Sequence, residues 1–358
     1  MISQNLSTII FGATIFFLGL PLSFLLTQGA YRFALRKKVF DIPNDRSSHS
    51  TPTPRGGGLG IVLAFLPGLL LLSHFGTISG ALLAALLGGG SLIALVGWMD
   101  DLKPIAARWR FMIHAIAAGW AIAWIGGMTG LTFGQYTVRL GFLGDLLTFF
   151  GILWMINLYN FMDGIDGLAA GEALSAGLTG AFLLVLGGES NLAGVAILLA
   201  SCCAGFLILN WPPAKIFMGD IGSGFIGYCL TVLWIAGVKT NSATFWVWPI
   251  LLSIFIADAT FTLIFRIMRG ETWHQAHRTH AYQQLTQLGW PHLRVTGLVL
   301  FTNFFILFPL AWYSMRNLSH SPWILLSLFI LLFILWTRIR RKFAQARIAE
   351  LRSGETDI

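Results

Sequence analysis

Apolar and polar stretches alternate along this chain with a long period. Runs of mostly apolar residues cover 8–26, 57–74, 78–98, 111–127, 143–159, 168–187, 191–209, 221–238, 244–265, 295–315 and 322–336. Crossing a hydrocarbon core as a helix takes about 20 apolar residues. The pattern therefore predicts an all-α polytopic membrane protein with about eleven transmembrane helices. The run 143–159 is the least clean, because it grades into polar residues at its end. The expected organisation is one transmembrane domain over residues 1–336, followed by a basic tail over 337–358. No internal repeat or low-complexity tract interrupts it.

Composition agrees with lipid as the main solvent. Only 11% of the 358 residues are charged and 56% are apolar, whereas soluble domains carry about a quarter charged residues. Cys202, Cys203 and Cys229 all lie inside apolar runs without metal-ligand spacing, which reads as packing. The first basic residue is Arg32, so the amino-terminal run lacks a signal-peptide n-region and reads as a retained helix.

The net charge of +8 would suit nucleic acid, but its distribution points to topology instead. Of the 23 Lys and Arg, segments after odd-numbered runs hold all but Arg139, Lys239 and Arg316. That bias predicts an amino terminus outside and a carboxyl terminus in the cytoplasm. Asp41, Asp45, Asp100, Asp101, Asp163, Asp166, Asp220 and Glu271 fall on the same predicted cytoplasmic side. Only Asp145 and Glu189 were assigned to the other. The basic tail from Arg338 is expected to lie against anionic lipid.

Five cytoplasmic segments carry candidate chemistry. Asp41–Gly58 combines Pro and Gly with Arg46, His49 and Arg55, and its glycines would let backbone N–H groups approach an anion. An ordinary juxtamembrane loop would look the same. Asp100 and Asp101 are adjacent at a membrane boundary, where two carboxylates repel each other and resist desolvation, so a cation is expected nearby. Paired acids can equally cap a segment in water. Asn157, Asn160, Asp163 and Asp166 recur every three residues on one helical face, and their oxygens suit a hard cation such as Mg²⁺. Asp220 stands before a helix start with Gly219, Gly222 and Gly224, either as an N-cap or as a metal ligand. Phe217 beside it would stack on a flat ring or simply pack. In the last segment His274, His277 and His280 are spaced by three, but HExxH is absent. Arg278 between the latter two suits diphosphate better. Asp258 lies inside the run 244–265, where an acid is costly and expected to face a cation. His74, His114, His292 and His320 are read as structural.

In this order, Asp41–Gly58, Asp100–Asp101, Asn157–Leu168, Met218–Gly224 and His277–Gln283 resemble the polyprenyl-phosphate N-acetylhexosamine-1-phosphate transferases, glycosyltransferase family 4. The resemblance implies a magnesium enzyme (Mn²⁺ substituting) of the bacterial inner membrane, with its active site facing the cytoplasm. It implies Asp220 as a metal ligand with Asn160 as a further oxygen donor, and Asp100, Asp101 and Asp163 as essential acids near the phosphates. Asn160, Asp166 and Phe217 match positions that contact the nucleotide base, and His277, Arg278 and His280 match a histidine motif near the diphosphate, with Arg55 sharing that charge. The peptidoglycan members carry three consecutive histidines where this chain has His-Arg-Thr-His. That departure resembles members that initiate O-antigen or other envelope glycans.

The expected reaction joins a UDP-N-acetylhexosamine to undecaprenyl phosphate in the membrane lipid, releasing UMP. The implied partners include no nucleic acid, and a homodimer is left open. Phospho-MurNAc-pentapeptide transfer is the alternative within the family. A lipid or solute transporter and a prenyl-transferring enzyme are the alternatives outside it. A transporter would need ionisable residues at mid-membrane, where Asp258 is the one noted. A prenyl transferase would want a third acid at Pro104.

Overall fold

In the computed structural model, residues 2–43, 51–240, 244–271 and 278–354 are described. His277, like Arg46, His49 and His274, lies outside them. The helices are α1 (Ile2–Lys37), α2 (Gly58–His74), α3 (Gly80–Leu102), α4 (Ala107–Ile125), α5 (Phe142–Met162), α6 (Leu168–Leu186) and α7 (Ser190–Asn210). They continue with α8 (Asp220–Thr240), α9 (Thr244–Leu251), α10 (Ser253–Met268), α11 (Ala281–Gln287), α12 (His292–Arg316) and α13 (Ser321–Gly354). Strands β1 (Phe40–Asp41) and β2 (Thr53–Pro54) pair antiparallel, as do β3 (Gly130–Phe133) and β4 (Tyr136–Arg139).

Each of the eleven apolar runs falls on a helix or helix pair. Among the described residues, eight helices are long and apolar enough to span a membrane, or nine if the pair α9–α10 is one span. That pair is bent by 72° at Leu252. The protein is an all-α, multi-pass membrane protein.

The packing is sorted by depth. Helices α6, α7 and α8 form the interior, and Phe206, Phe225, Tyr228 and Trp248 are fully buried. The outer helices instead expose large apolar side chains such as Phe17, Phe150, Phe305 and Trp323, as a lipid-facing surface requires. Small residues let the inner helices touch. A side chain at Gly58 would collide with the backbone at Gly222, and one at Gly97 with the backbone at Asp220. These contacts bring the starts of α2 and α8 and the end of α3 together, which is where the acids gather.

Helix α13 runs without a break from Ser321 to Gly354, so the basic tail continues the last apolar run as one helix. Glu172, missed in the sequence, is an acid buried in α6, where Oε2 accepts from Asn303 Nδ2 at 2.6 Å.

Candidate active site

Helix α3 ends at Leu102, and Pro104 turns the chain so that α4 starts close by. That turn returns Arg110 to Asp100: Nη1 donates to Asp100 Oδ2 at 2.9 Å and to Asp220 Oδ2 at 2.8 Å. The other Asp100 oxygen accepts the Ile105 N–H at 2.6 Å. Arg110 therefore bridges two acids that are 120 residues apart in the chain.

Asp101 behaves differently from its neighbour. Its side chain has no exposure, and its two oxygens cap the start of α8, accepting N–H from Asp220 at 3.0 Å and Ile221 at 3.2 Å. Arg55 Nε donates to it at 2.9 Å. A carboxylate at a helix amino terminus satisfies unpaired N–H groups and the helix dipole. Gly219, at φ +76°, has its α-carbon packed directly against this carboxylate, so a side chain there would collide with it. Asp220 is expected either as the N-cap of α8 or as a metal ligand; the capping carboxylate is that of Asp101, and Asp220 faces Arg110, with Arg55 4.0 Å away.

Asp163 ends α5, and its N–H donates to Asn160 O at 3.3 Å. Burial first, then the negative charges of Asp220 and Asp101, push its carboxyl well above the usual carboxylate range, and Arg55 works in the other direction. One turn earlier, Asn160 Nδ2 donates to Ser223 Oγ at 3.1 Å, which ties α5 to the first turn of α8.

Asp166 reaches the connection from α7 to α8. Its Oδ2 accepts the Ala214 N–H at 3.0 Å, and Oδ1 lies 3.3 Å from His292 Nδ1. Phe217 belongs to that connection and is pinned by two backbone bonds, its N–H to Pro54 O at 2.8 Å and its carbonyl from Gly57 N at 2.9 Å. Asp166 and Phe217 thus share one loop system beside the acidic cluster.

The histidine segment is more enclosed than its sequence suggested. His280 is 2% exposed, with its ring stacked near Phe161 and Tyr282. Arg278 is half-buried, and its carbonyl accepts from Gln287 Nε2 at 2.9 Å. Asp258 was expected to face a cation. Arg340 interacts with it electrostatically and His280 Nδ1 stands 3.6 Å away, while its oxygens accept the first backbone N–H groups of α11.

A cavity of about 900 Å³ opens beside the cluster, between α3, α4, α5 and α8. Its polar lining is Arg108, Arg110, His114, Asn157, Asn160 and Asp220, and Ile93, Val96, Leu153, Trp154 and Ile156 are among its apolar lining. Phe111, Met112 and Phe150 are both lining and exposed, so the cavity meets the apolar outer surface. Its lining is mostly apolar, with a minority of charged and polar groups that includes Arg110 and Asp220.

Among the described residues, no three or more His, Cys, Asp and Glu form a ready-made metal cage. The donor set still fits a hard cation. Asp100, Asp163 and Asp220 offer oxygens, mutual repulsion favours a divalent charge, and Mg²⁺ commonly takes only one or two protein carboxylates beside water and phosphate.

Sequence reasoning brought Asp100, Asp101, Asp163, Asp220, Arg55 and Asn160 to one region, and the structure brings these six together. It did not place Arg110 there, a residue that enters only as a topogenic charge, nor the contact of His292 with Asp166. The Asp100–Arg110 spacing across Pro104 was the available signal for the first. The second arises from tertiary contact alone.

The glycosyl transferase family 4 model matches residues 83–238. A Bacillus subtilis protein named "Probable undecaprenyl-phosphate N-acetylglucosaminyl 1-phosphate transferase" is 30% identical over 320 residues, 87% of this chain and 86% of that one. The Yersinia pestis undecaprenyl-phosphate alpha-N-acetylglucosaminyl 1-phosphate transferase is 28% identical over 337 residues, 89% and 88% of the two chains. A Streptococcus thermophilus phospho-N-acetylmuramoyl-pentapeptide-transferase is 30% identical over 215 residues, covering 55% of this chain and 62% of its own.

Proposed function

Because the chain belongs to glycosyl transferase family 4, we propose that it transfers an N-acetylhexosamine-1-phosphate from a UDP-sugar to undecaprenyl phosphate, releasing UMP. The reading is carried by one observation: four aspartates and two arginines form one cluster, and two of them, Asp220 and Arg110, line a cavity that is otherwise mostly apolar. We further propose eleven spans, with the amino terminus outside and the acidic cluster at the cytoplasmic face of the inner membrane. The odd-loop bias of Lys and Arg supports that orientation. The His-Arg-Thr-His segment supports initiation of an O-antigen or other envelope glycan.

In the proposed reaction an acceptor phosphate oxygen attacks the β-phosphorus, and the bond from that phosphorus to the oxygen bridging it to UMP breaks. The acceptor needs little activation, because a phosphate monoester has a second pKa of about 6 and is mostly a dianion at neutral pH. Arg110 receives that dianion from the cavity side, and Asp100 holds Arg110 in place. Arg55, fixed by Asp101, contributes positive charge at the diphosphate. Asp163 and Asp220 would hold the divalent cation that accompanies the diphosphate, with Asn160 as a further oxygen donor. Asp166 and Phe217 meet the nucleotide base. When bound, Mg²⁺ (or Mn²⁺ in its place) supplies Lewis-acid neutralisation of charge developing on the leaving phosphate.

The test is UMP release by purified protein given undecaprenyl phosphate and a panel of UDP-N-acetylhexosamines, including 6-deoxy forms and UDP-MurNAc-pentapeptide. Release that requires the lipid acceptor and one of the plain or 6-deoxy hexosamines is expected. Release with the pentapeptide donor alone would move the protein to peptidoglycan synthesis, and none with any donor would refute the assignment.

A further inference from the structure

The turn that carries Asp163 is gripped from outside by a helix start for which the proposed reaction has no use. The first two N–H groups of α11, at Ala281 and Tyr282, both donate to Asp258 in α10, at 2.8 and 3.2 Å. One turn along α10, the Thr262 hydroxyl donates to Asp258 Oδ1 at 3.2 Å and accepts from Trp336 Nε1 of α13 at 3.1 Å. Asp258 is buried, and the helix start supplies the partial positive charge that offsets it there.

Tyr282 then reaches the turn itself. Its hydroxyl donates to Phe161 O at 2.9 Å, a carbonyl in the last turn of α5 that the helix leaves unpaired. Any side chain at Gly164 would collide with that hydroxyl and with Gln283 Nε2. The His280 ring lies 6.2 Å from Phe161 and 5.8 Å from Tyr282, stacked with both. Residues 161 and 164 bracket Asp163, whose carboxylate is crowded by the like charges of Asp220 and Asp101. Left unbraced, that repulsion would swing the turn outward.

We propose that Asp258 and Tyr282 are positioning residues, which together clamp the turn 161–164 and hold the Asp163 carboxyl toward Asp220. Asp258 fixes the start of α11, α11 presents the Tyr282 hydroxyl, and the hydroxyl fixes the backbone on either side of Asp163. The inference rests on the reading above, in which Asp163 works on the metal diphosphate.

The experiment uses purified full-length protein with UDP-N-acetylglucosamine and undecaprenyl phosphate, and compares Tyr282→Phe, Asp258→Asn, the double variant and Asp163→Asn. A displacement of about 1 Å in a reacting group can cost roughly a hundredfold in rate. Tyr282→Phe, which removes one hydroxyl and keeps the ring, is expected to lower kcat about tenfold, and Asp258→Asn about a hundredfold. The KM for the lipid acceptor stays at the wild-type value in both, and Tyr282→Phe keeps the wild-type unfolding midpoint. The double variant is expected to lose no more than Asp258→Asn alone, because the two residues act through one clamp. Wild-type kcat in Tyr282→Phe, or losses that multiply in the double variant, would overturn the inference while an inactive Asp163→Asn left the parent reading standing. Full activity of Asp163→Asn would bring down both. Should Asp258→Asn fail to fold, Tyr282→Phe decides alone.

Discussion

Replacing Arg110 by Met should lower both kcat and the Mg²⁺ concentration needed for half-saturation. The side chain is about a third exposed and bonds Asp100 at 2.9 Å and Asp220 at 2.8 Å. A hydrogen bond to a charged group contributes about 1.5–3 kcal/mol. Losing one such contact to the acceptor phosphate in the transition state therefore lowers kcat by roughly 10- to 150-fold. The same substitution removes a positive charge from beside a carboxylate assigned to the metal. A unit charge about 5 Å from a divalent one costs about 2 kcal/mol at the dielectric of water and about 7 kcal/mol at an effective value of about 20. Partial exposure of Arg110 favours the lower figure, so the half-saturating Mg²⁺ concentration should fall by roughly tenfold or more. UMP release across a Mg²⁺ titration reads both values from one data set. A variant with lower kcat and an unchanged or higher Mg²⁺ requirement would refute the placement of Arg110 beside the metal carboxylate.

Asp220→Asn, Asp100→Asn and Asp163→Asn are each expected to leave an inserted, folded protein with almost no turnover, and a wild-type rate in any one would move the chemistry elsewhere. Chelation by EDTA should abolish UMP release and either Mg²⁺ or Mn²⁺ should restore it; activity that survives chelation would contradict a metal role. The pH response of the metal-free protein follows from Asp163. Its folded-state pKa is raised above the unfolded value of about 3.9, so its contribution to stability is full below that value and is lost as pH rises through the raised one. The unfolding midpoint in EDTA should therefore fall with rising pH, and fall less in Asp163→Asn; identical slopes would refute the assignment. Gly97→Val should lower the yield of folded protein, because the added side chain meets the Asp220 backbone and overpacking typically costs about 1–3 kcal/mol. Normal yield and normal activity would show that α3 and α8 are less tightly apposed.

The helices were legible because each apolar run is long and bounded by charge, Pro or Gly. The acids were legible because a carboxylate at a membrane boundary is too costly to be incidental. What escaped was set by contact between distant segments. The exchange of roles at α8, where Asp101 rather than Asp220 caps the helix, depends on the close approach at Gly97 and Gly219, which no local pattern encodes. The break at Leu252 escaped because the apolar run continues through it and hid the bend. Glu172 was missed because one acid in a long apolar stretch leaves the hydropathy almost unchanged, and its partner Asn303 is 131 residues away. The continuity of α13 past residue 337 agrees with a tail that is basic yet helix-compatible, because a change from apolar to basic residues alters the solvent and leaves the helix intact.

Anomalous diffraction from protein soaked with Mn²⁺ and UDP-N-acetylglucosamine would test the central claim most directly. One strong peak in contact with the Asp220 carboxylate, beside Asp163 and touching diphosphate oxygens, is the expected result. A bound nucleotide diphosphate whose metal sits away from Asp220 and Asp163 would contradict it.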